Sequence, residues 1–201
     1  MKKNGKLIVH TGSMFSGKTS SLWKELFRMK VANYKVVAFK PKIDNRYDDT
    51  NIVTHDQKKI PAIAISDINE IKEYLNKNEV DVIGIDEIQF FRNKPEEIVD
   101  FFQKLIKKNI KIIVSGLDID YKAKPFEIMK ELMPIADVLE KHHAICANCG
   151  EDAWISFRKT DSTKRVEIGS EDKYEPLCRG CYEEKMNEKE KMKNQISIDF
   201  I

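Results

Sequence analysis

An α/β protein, with a mostly parallel sheet flanked by helices and a small second domain at the C-terminal end, is predicted by three observations on the sequence. Gly12-Ser13-Met14-Phe15-Ser16-Gly17-Lys18-Thr19 keeps the phosphate-loop spacing and lies between an apolar run and a helical pattern. Short apolar runs then alternate with helical periodicities, the pattern of parallel strands joined by crossover helices. The cysteines come as Cys146-x-x-Cys149 and Cys178-x-x-Cys181, with none elsewhere, and they stand where that alternation ends. The fold class expected is P-loop (RecA-like) α/β with a C-terminal zinc-binding domain.

Leu7 to Val9 reads as a first buried strand, and about Gly17 to Ala32 as a helix with Leu22, Leu26 and Met29 on one face. Lys35 to Phe39 is a second strand. The stretch from Pro41 to Thr50 is too polar to bury and reads as a loop at the sheet's end. Ala62 to Ile65 is a short strand, followed by a helix carrying Ile68, Ile71 and Leu75 after a Ser66 N-cap. Val80 to Ile85 is another strand. Pro95 opens the clearest amphipathic helix, with Ile98, Phe101, Phe102, Leu105 and Ile106 at three- and four-residue intervals. Ile110 to Val114 is a strand ending at Ser115-Gly116, and Pro125 to Ile135 reads as helical around Phe126, Met129 and Leu132. Beyond it the pattern changes to short alternating stretches, Trp154 to Phe157 and Arg165 to Ile168. Mixed charges over Glu183 to Lys193 favour a solvated helix. The domains expected are therefore 1–141, a P-loop ATP-binding unit, 142–193, a zinc-binding unit, and 194–201, a tail.

A chain of 201 residues holds one full domain and a small appendage. With 35 basic and 33 acidic residues the net charge is +2, which gives no reason to expect a polyanion clamped over the whole surface. No apolar run approaches the ~20 residues of a membrane span, and the stretch after Met1-Lys2-Lys3-Asn4-Gly5-Lys6 is too short for a secretory signal. The expectation is a cytoplasmic protein with no membrane contact.

In the phosphate loop, glycines let successive N–H groups point inward at phosphate oxygens, and the following helix adds its positive end. Lys18 reaches the β/γ-phosphates in this reading, and Thr19 ligates Mg²⁺. Asp86-Glu87 follows a strand and so arrives at the carboxyl edge, where ligands bind in open α/β sheets. Asp86 suits the hold on Mg²⁺ and Glu87 the acceptance of a proton from an attacking hydroxyl. Asn93-Lys94-Pro95-Glu96 is too imperfect for a guanine-specific site. Two C-x-x-C knuckles supply four thiolates, a tetrahedral zinc set, and a reducing compartment disfavours disulfides. Of the histidines, His142-His143 reads as a strand or surface pair, since four thiolates already satisfy a zinc ion.

Taken in order, the P-loop, Asp44-Asn45-Arg46-Tyr47, His55-Asp56, Asp86-Glu87-Ile88-Gln89-Phe90-Phe91, Lys124-Pro125-Phe126, Ile168-Gly169 and Asp172-Lys173-Tyr174 before the second cysteine pair resemble the type II thymidine kinases across nearly the whole chain. The resemblance implies transfer of the γ-phosphoryl group of ATP to the 5′-hydroxyl of thymidine or deoxyuridine, in deoxynucleotide salvage for DNA synthesis. It implies Glu87 as the proton acceptor. Gly12 to Thr19, Asp44, Asn45, Arg46 and the segment Asp86, Glu87, Ile88, Gln89 would contact ATP. Tyr121 matches an aromatic position that stacks on thymine. Arg165, Val166, Glu167, Ile168 and Gly169 match the part of the family's lasso whose backbone meets the base, and Tyr174 contacts the nucleoside. Met14, Leu117 and Ser156 correspond to the pocket around the thymine methyl. The metals implied are structural Zn²⁺ on Cys146, Cys149, Cys178 and Cys181, and Mg²⁺ with ATP. A homotetramer and feedback inhibition by thymidine triphosphate follow from the same resemblance. Ile88 departs from the family's usual small residue. Arg158 or Arg46 is a candidate for stabilising charge on the transferring group. Gln195-Ile196-Ser197-Ile198-Asp199-Phe200-Ile201 looks like the short peptides that bind bacterial sliding clamps, with a frayed tail or one packed on its own protein as the alternative reading.

Three function classes compete on the residues alone: a nucleoside kinase, a P-loop ATPase whose zinc module binds nucleic acid or a partner, and a nucleotide sensor without turnover. The absence of a basic, aromatic-interleaved stripe counts against direct nucleic-acid binding. Intact Lys18 and Glu87 count against the sensor.

Overall fold

The computed structural model describes residues 4–44, 50–54 and 56–198, with side chains as far as Lys191. Asn45, Arg46, Tyr47 and His55 lie outside the described residues, as do Asp199, Phe200 and Ile201.

The chain begins with strand β1 (Lys6–Gly12), helix α1 (Lys18–Val31) and strand β2 (Val36–Pro41). Next come β3 (Asn51–Val53), β4 (Lys59–Pro61), β5 (Ile63–Ile65), α2 (Ile68–Lys77), β6 (Val82–Ile85), α3 (Pro95–Lys107), β7 (Lys111–Gly116) and α4 (Glu127–Leu132). Then follow β8 (Val138–His142), β9 (Ala144–Ile145), β10 (Asp152–Ala153), β11 (Ile155–Arg158), β12 (Tyr174–Leu177) and α5 (Arg179–Ile198). Six strands form one sheet in the order β5-β2-β6-β7-β1-β8, and every pairing in it is parallel. β7 stands between the P-loop strand β1 and the strand β6 that leads to Asp86, the RecA-like arrangement. Both active strands therefore open onto the same carboxyl edge.

Because the sheet is covered on both faces, its central strands are apolar at consecutive positions. Leu7 and Val9 point into one core with Phe39, Ile83, Phe102 and Met129, contributed from under α2, α3 and α4. Ile8 points the other way, into a core with Leu22 and Leu26 of α1. Each of these leucines is wholly buried, worth about 1.5–3 kcal/mol by transfer. Pro95 sits in the first turn of α3, with Glu96 and Glu97 beside it and Lys104 and Lys107 in its last turn, as the helix dipole favours.

Several expectations are corrected. Asp67 rather than Ser66 caps α2, its carboxylate accepting from the Asn69 N–H at 2.7 Å. The Ser66 N–H instead donates to Glu70 Oε1 at 2.7 Å, so the serine backbone takes part and its hydroxyl does not cap. The helix expected from Pro125 begins at Glu127 and tightens into a 3₁₀ turn over Met133–Ile135, where Pro134 stands. Arg165 to Ile168 forms no strand but an irregular loop. The backbone of α5 runs on to Ile198, through the first part of the 194–201 segment.

Candidate active site

The P-loop is a turn that L-residues adopt reluctantly. Gly12, Phe15 and Gly17 have φ of 133°, 64° and 84°. At Gly12 no side chain fits, because a Cβ would stand 2.1 Å from the His142 carbonyl oxygen of the neighbouring strand. Lys18 Nζ donates to the Ser13 carbonyl at 2.6 Å, and Ser16 Oγ donates to the same oxygen at 2.8 Å. Ser13 Oγ is buried with no partner among the described residues. Thr19 Oγ1 donates to the Asp86 carboxylate at 3.2 and 3.3 Å, and the Ser115 hydroxyl donates to Asp86 as well. These oxygen donors beside a phosphate cradle suit a hard dication such as Mg²⁺.

A cavity of about 260 Å³ opens over this loop, with Met14, Phe15, Gly17, Lys18, Thr19, Asp44, Asp86 and Glu87 in its wall. Lys40 and Asn51 to Val53 also line it, which the sequence reading did not include. Ile88 and Gln89 do not. Ile88 is wholly buried in the hydrophobic core, so its packing, not a nucleotide, accounts for an isoleucine at that position. Gln89 accepts the Leu117 N–H on Oε1 at 3.1 Å and donates from Nε2 to Glu87 Oε2. That clamp holds the Glu87 carboxylate, whose own backbone is left-handed at φ 48° and ψ 42°. A side chain at residue 116 would strike Gln89 Oε1 at 2.7 Å, so Gly116 leaves room for the clamp.

A second, narrower cleft adjoins the first, and Met14 and Glu87 border both. Its wall brings together all ten residues expected around the nucleoside: Met14, Leu117, Tyr121, Ser156, the run from Arg165 to Gly169, and Tyr174. Ser156 Oγ also accepts the Met14 N–H at 2.8 Å, fastening the P-loop to β11.

Arg158 is the residue whose role the sequence concealed. It is 2% exposed, and its guanidinium lies 3.7 Å from the Tyr121 ring centroid. It donates to the Tyr174 hydroxyl at 2.8 and 3.1 Å and to the carbonyls of Ser162, Lys164 and Arg165. Its donors are committed to the loop, which replaces the expectation that it faces the transferring phosphoryl group. Tyr174 Oη in turn donates to the Glu167 carbonyl at 2.8 Å, and Arg165 donates to Asp120 at 3.0 Å and to the Pro125 carbonyl at 2.6 Å. The loop is thus held from within by Arg158 and Tyr174, and to the α/β body by Arg165. Arg46, the other candidate, lies outside the described residues.

The four cysteine sulfurs all lie within 4.8 Å of one another, with Cys149 and Cys178 at 3.6 Å. Zinc bonds of about 2.3 Å give a tetrahedral edge of about 3.8 Å, so the set fits that ion. Burial raises the Cys146 thiol, but the amides of Cys178, Cys149 and Asn148 bring it down to about 6. The Glu151 amide lowers Cys149, yet the thiols of Cys146, Cys178 and Cys181 carry it up to about 12. Four sulfurs this close can all be thiolates together only around a cation, which offsets their mutual repulsion.

The thymidine kinase family model matches residues 5–182. The chain belongs to the thymidine kinase family. Phosphorylation of thymidine is the activity that membership carries. It is 42% identical to a thymidine kinase of Porphyromonas gingivalis over 90% of this chain and 86% of that one. The Bacteroides thetaiotaomicron thymidine kinase is also 42% identical, over 90% and 88%, and that of Mesoplasma florum 38%, over 90% and 93%. AMPPCP-bound DnaA from Aquifex aeolicus superposes with a TM-score of 0.42 at 17% identity, over 70% of this chain and 41% of that one, too loosely to add to the reading. No helix among the described residues is long and apolar enough to cross a membrane. For a family member, Arg158 and Gln89 are the residues that sequence reasoning misplaced. Their partners range from two residues away, Gln89 to Glu87, to 28 away, Gln89 to Leu117, with no regular spacing to mark them.

Proposed function

We propose that this chain transfers the γ-phosphoryl group of ATP to the 5′-hydroxyl of thymidine, with ATP over the P-loop and thymidine in the cleft under the lasso, residues 159–173. The observation that carries this reading is the position of Glu87, on the border of both cavities and clamped by Gln89. A carboxylate there meets the 5′-hydroxyl of a nucleoside in one cavity and the γ-phosphate of a nucleotide in the other. Glu87 accepts the hydroxyl proton as the oxygen attacks phosphorus in line, and ADP leaves. Lys18 and the loop amides bear the phosphate charge. Thr19 and Asp86 are the residues that would hold Mg²⁺, which when bound neutralises charge on the β- and γ-phosphates. Tyr121 offers thymine an aromatic surface at the cleft wall, and the backbone from Arg165 to Gly169 reads the base edge. Cys146, Cys149, Cys178 and Cys181 hold zinc. The working division is a 1–141 body, a 142–193 zinc-bearing unit and a terminal segment from 194.

In the same reading the enzyme is a cytoplasmic homotetramer inhibited by thymidine triphosphate, which shares the nucleoside cleft, and residues 195–201 meet a sliding clamp. Support for these comes from the family resemblance and the tail's motif. The test is an ATP assay with and without thymidine. Thymidine-dependent ADP formation, with thymidine monophosphate as product, is expected, and thymidine-independent hydrolysis would select an ATPase instead.

A further inference from the structure

Away from both cavities, three metal-competent atoms converge at the sheet edge next to the P-loop. His10 Nδ1 lies 3.0 Å from His142 Nε2 and 3.3 Å from Glu140 Oε2, and the latter two are 3.8 Å apart. Strand register explains the convergence. In the parallel pair β1 and β8, His10 stands opposite Glu140 and Gly12 opposite His142. Glu140 and His142 are two apart and share one face of β8, the face on which the His10 ring lies.

Hydrogen bonding accounts for this triangle only in part. His10 Nδ1 has one in-plane position, either a hydrogen or a lone pair, yet it confronts a ring nitrogen and a carboxylate oxygen at once. On the far side of the ring, Nε2 is buried with no partner among the described residues, so the tautomer is set at Nδ1 alone, where the Glu140 carboxylate favours a hydrogen and a bound cation would move that proton to Nε2. A cation bound to all three atoms satisfies them together. Imidazole nitrogen and carboxylate oxygen bind zinc-class ions at about 2.0–2.2 Å, which makes the edge of a tetrahedron about 3.3–3.6 Å. The three separations bracket that length.

We propose that His10, Glu140 and His142 form a second site, separate from the four cysteines, for a zinc-class dication. It has three protein ligands and a fourth position open to water. His10 is buried, whereas the Glu140 and His142 side chains are 54% and 20% exposed, so an ion reaches the site from solvent. The site clasps the edge strand β8 to the strand that launches the P-loop. The His142 carbonyl is the atom that packs against Gly12, and four residues on the chain reaches Cys146.

The test titrates Co²⁺ into full-length protein whose cysteine site is already loaded with zinc. One further cobalt per chain is expected, with ligand-field absorption and no thiolate charge-transfer band, together with a rise in melting temperature. His142→Ala should weaken that binding by more than the roughly 100-fold that loss of an outer-shell partner costs. Glu140→Gln, at a more exposed position, should weaken it while leaving the fold and the cysteine site intact. No further equivalent in the wild type would overturn the proposal. So would a further equivalent unchanged in both variants, or cobalt absorption bearing the thiolate band, which reports exchange at the cysteines.

Discussion

At the scale of single residues, the carboxylate of Glu87 is restrained on two sides. Its left-handed backbone turns the side chain off the end of β6, and Gln89 pins it. Glu87→Gln keeps size and hydrogen bonding but cannot take a proton, so kcat should fall by roughly 10²–10⁴ while ATP affinity stays within about twofold. Turnover at the wild-type rate would remove Glu87 as the base. Gln89→Leu tests the clamp. It takes the acceptor from the Leu117 N–H and the Gln89 amide from the Glu87 carboxylate, loosening its placement. A displacement of about 1 Å costs roughly 100-fold, so kcat should drop that far with KM for thymidine little changed. A variant that raised KM and kept kcat would make Gln89 a binding residue instead. The chemistry-bearing types here were legible as a string, since Asp86 and Glu87 follow a strand and Lys18 and Thr19 open a helix. The partner of each was not, because the Gln89 clamp and the Arg158 hub join side chains to groups that sequence spacing does not mark.

At the scale of elements, α1 crosses the sheet where β6 carries no side chain. A Cβ on Gly84 would lie 2.4 Å from Leu26 Cδ1 and 2.8 Å from Cδ2, so glycine lets the P-loop helix sit close. Gly84→Ala should cost about 1–3 kcal/mol through overpacking, read as a lower urea midpoint with unchanged slope. An unaltered midpoint would show that Leu26 finds another rotamer freely. The central strands and long helices were legible because they are buried and periodic. β8 was not, for it runs along the sheet edge and Leu139, Glu140 and Lys141 are all exposed, leaving no alternation to read. β3 and β4 have three residues each, too few for a period to show. Ile88 looked like a departure in a loop and proves to be core, since the 3₁₀ turn over Ile88–Phe90 rotates it inward.

At the scale of the whole molecule, the proposed zinc site should matter unequally for the two substrates. The P-loop joins β1 and α1, whose buried contacts lie in the sheet's own cores, and it touches the cysteine-side unit through Phe15 packing and the Met14–Ser156 hydrogen bond. The second cleft, where thymidine is proposed to bind, is roofed by residues between β11 and β12, strands that pack with Cys146, Cys181 and Tyr182 in a separate cluster. Tyr182 Oη reaches the Tyr121 carbonyl at 3.1 Å, and Lys189 Nζ on α5 donates to the carbonyls of Arg158, Lys159 and Thr160. The lasso thus leaves and rejoins β11 and β12 beside the cysteine cluster, and α5 holds its first residues, so a zinc ion on the four cysteines would brace its base. Zinc binding of about 10–16 kcal/mol in small finger peptides is ample to keep such a base folded. Each lasso residue that loses its order must regain it on binding, at about 1–2 kcal/mol. Even one such residue is worth about tenfold in affinity. Chelating the metal, or Cys149→Ser, should accordingly weaken thymidine binding by tenfold or more, while an ATP analogue binds within about twofold of its original affinity. Separate calorimetric titrations of the two ligands make the measurement, with the sheet's folding checked by circular dichroism. If both affinities fell together in a protein that remained folded, the lasso and the P-loop would form one cooperative unit, and the metal could not act on the nucleoside side alone.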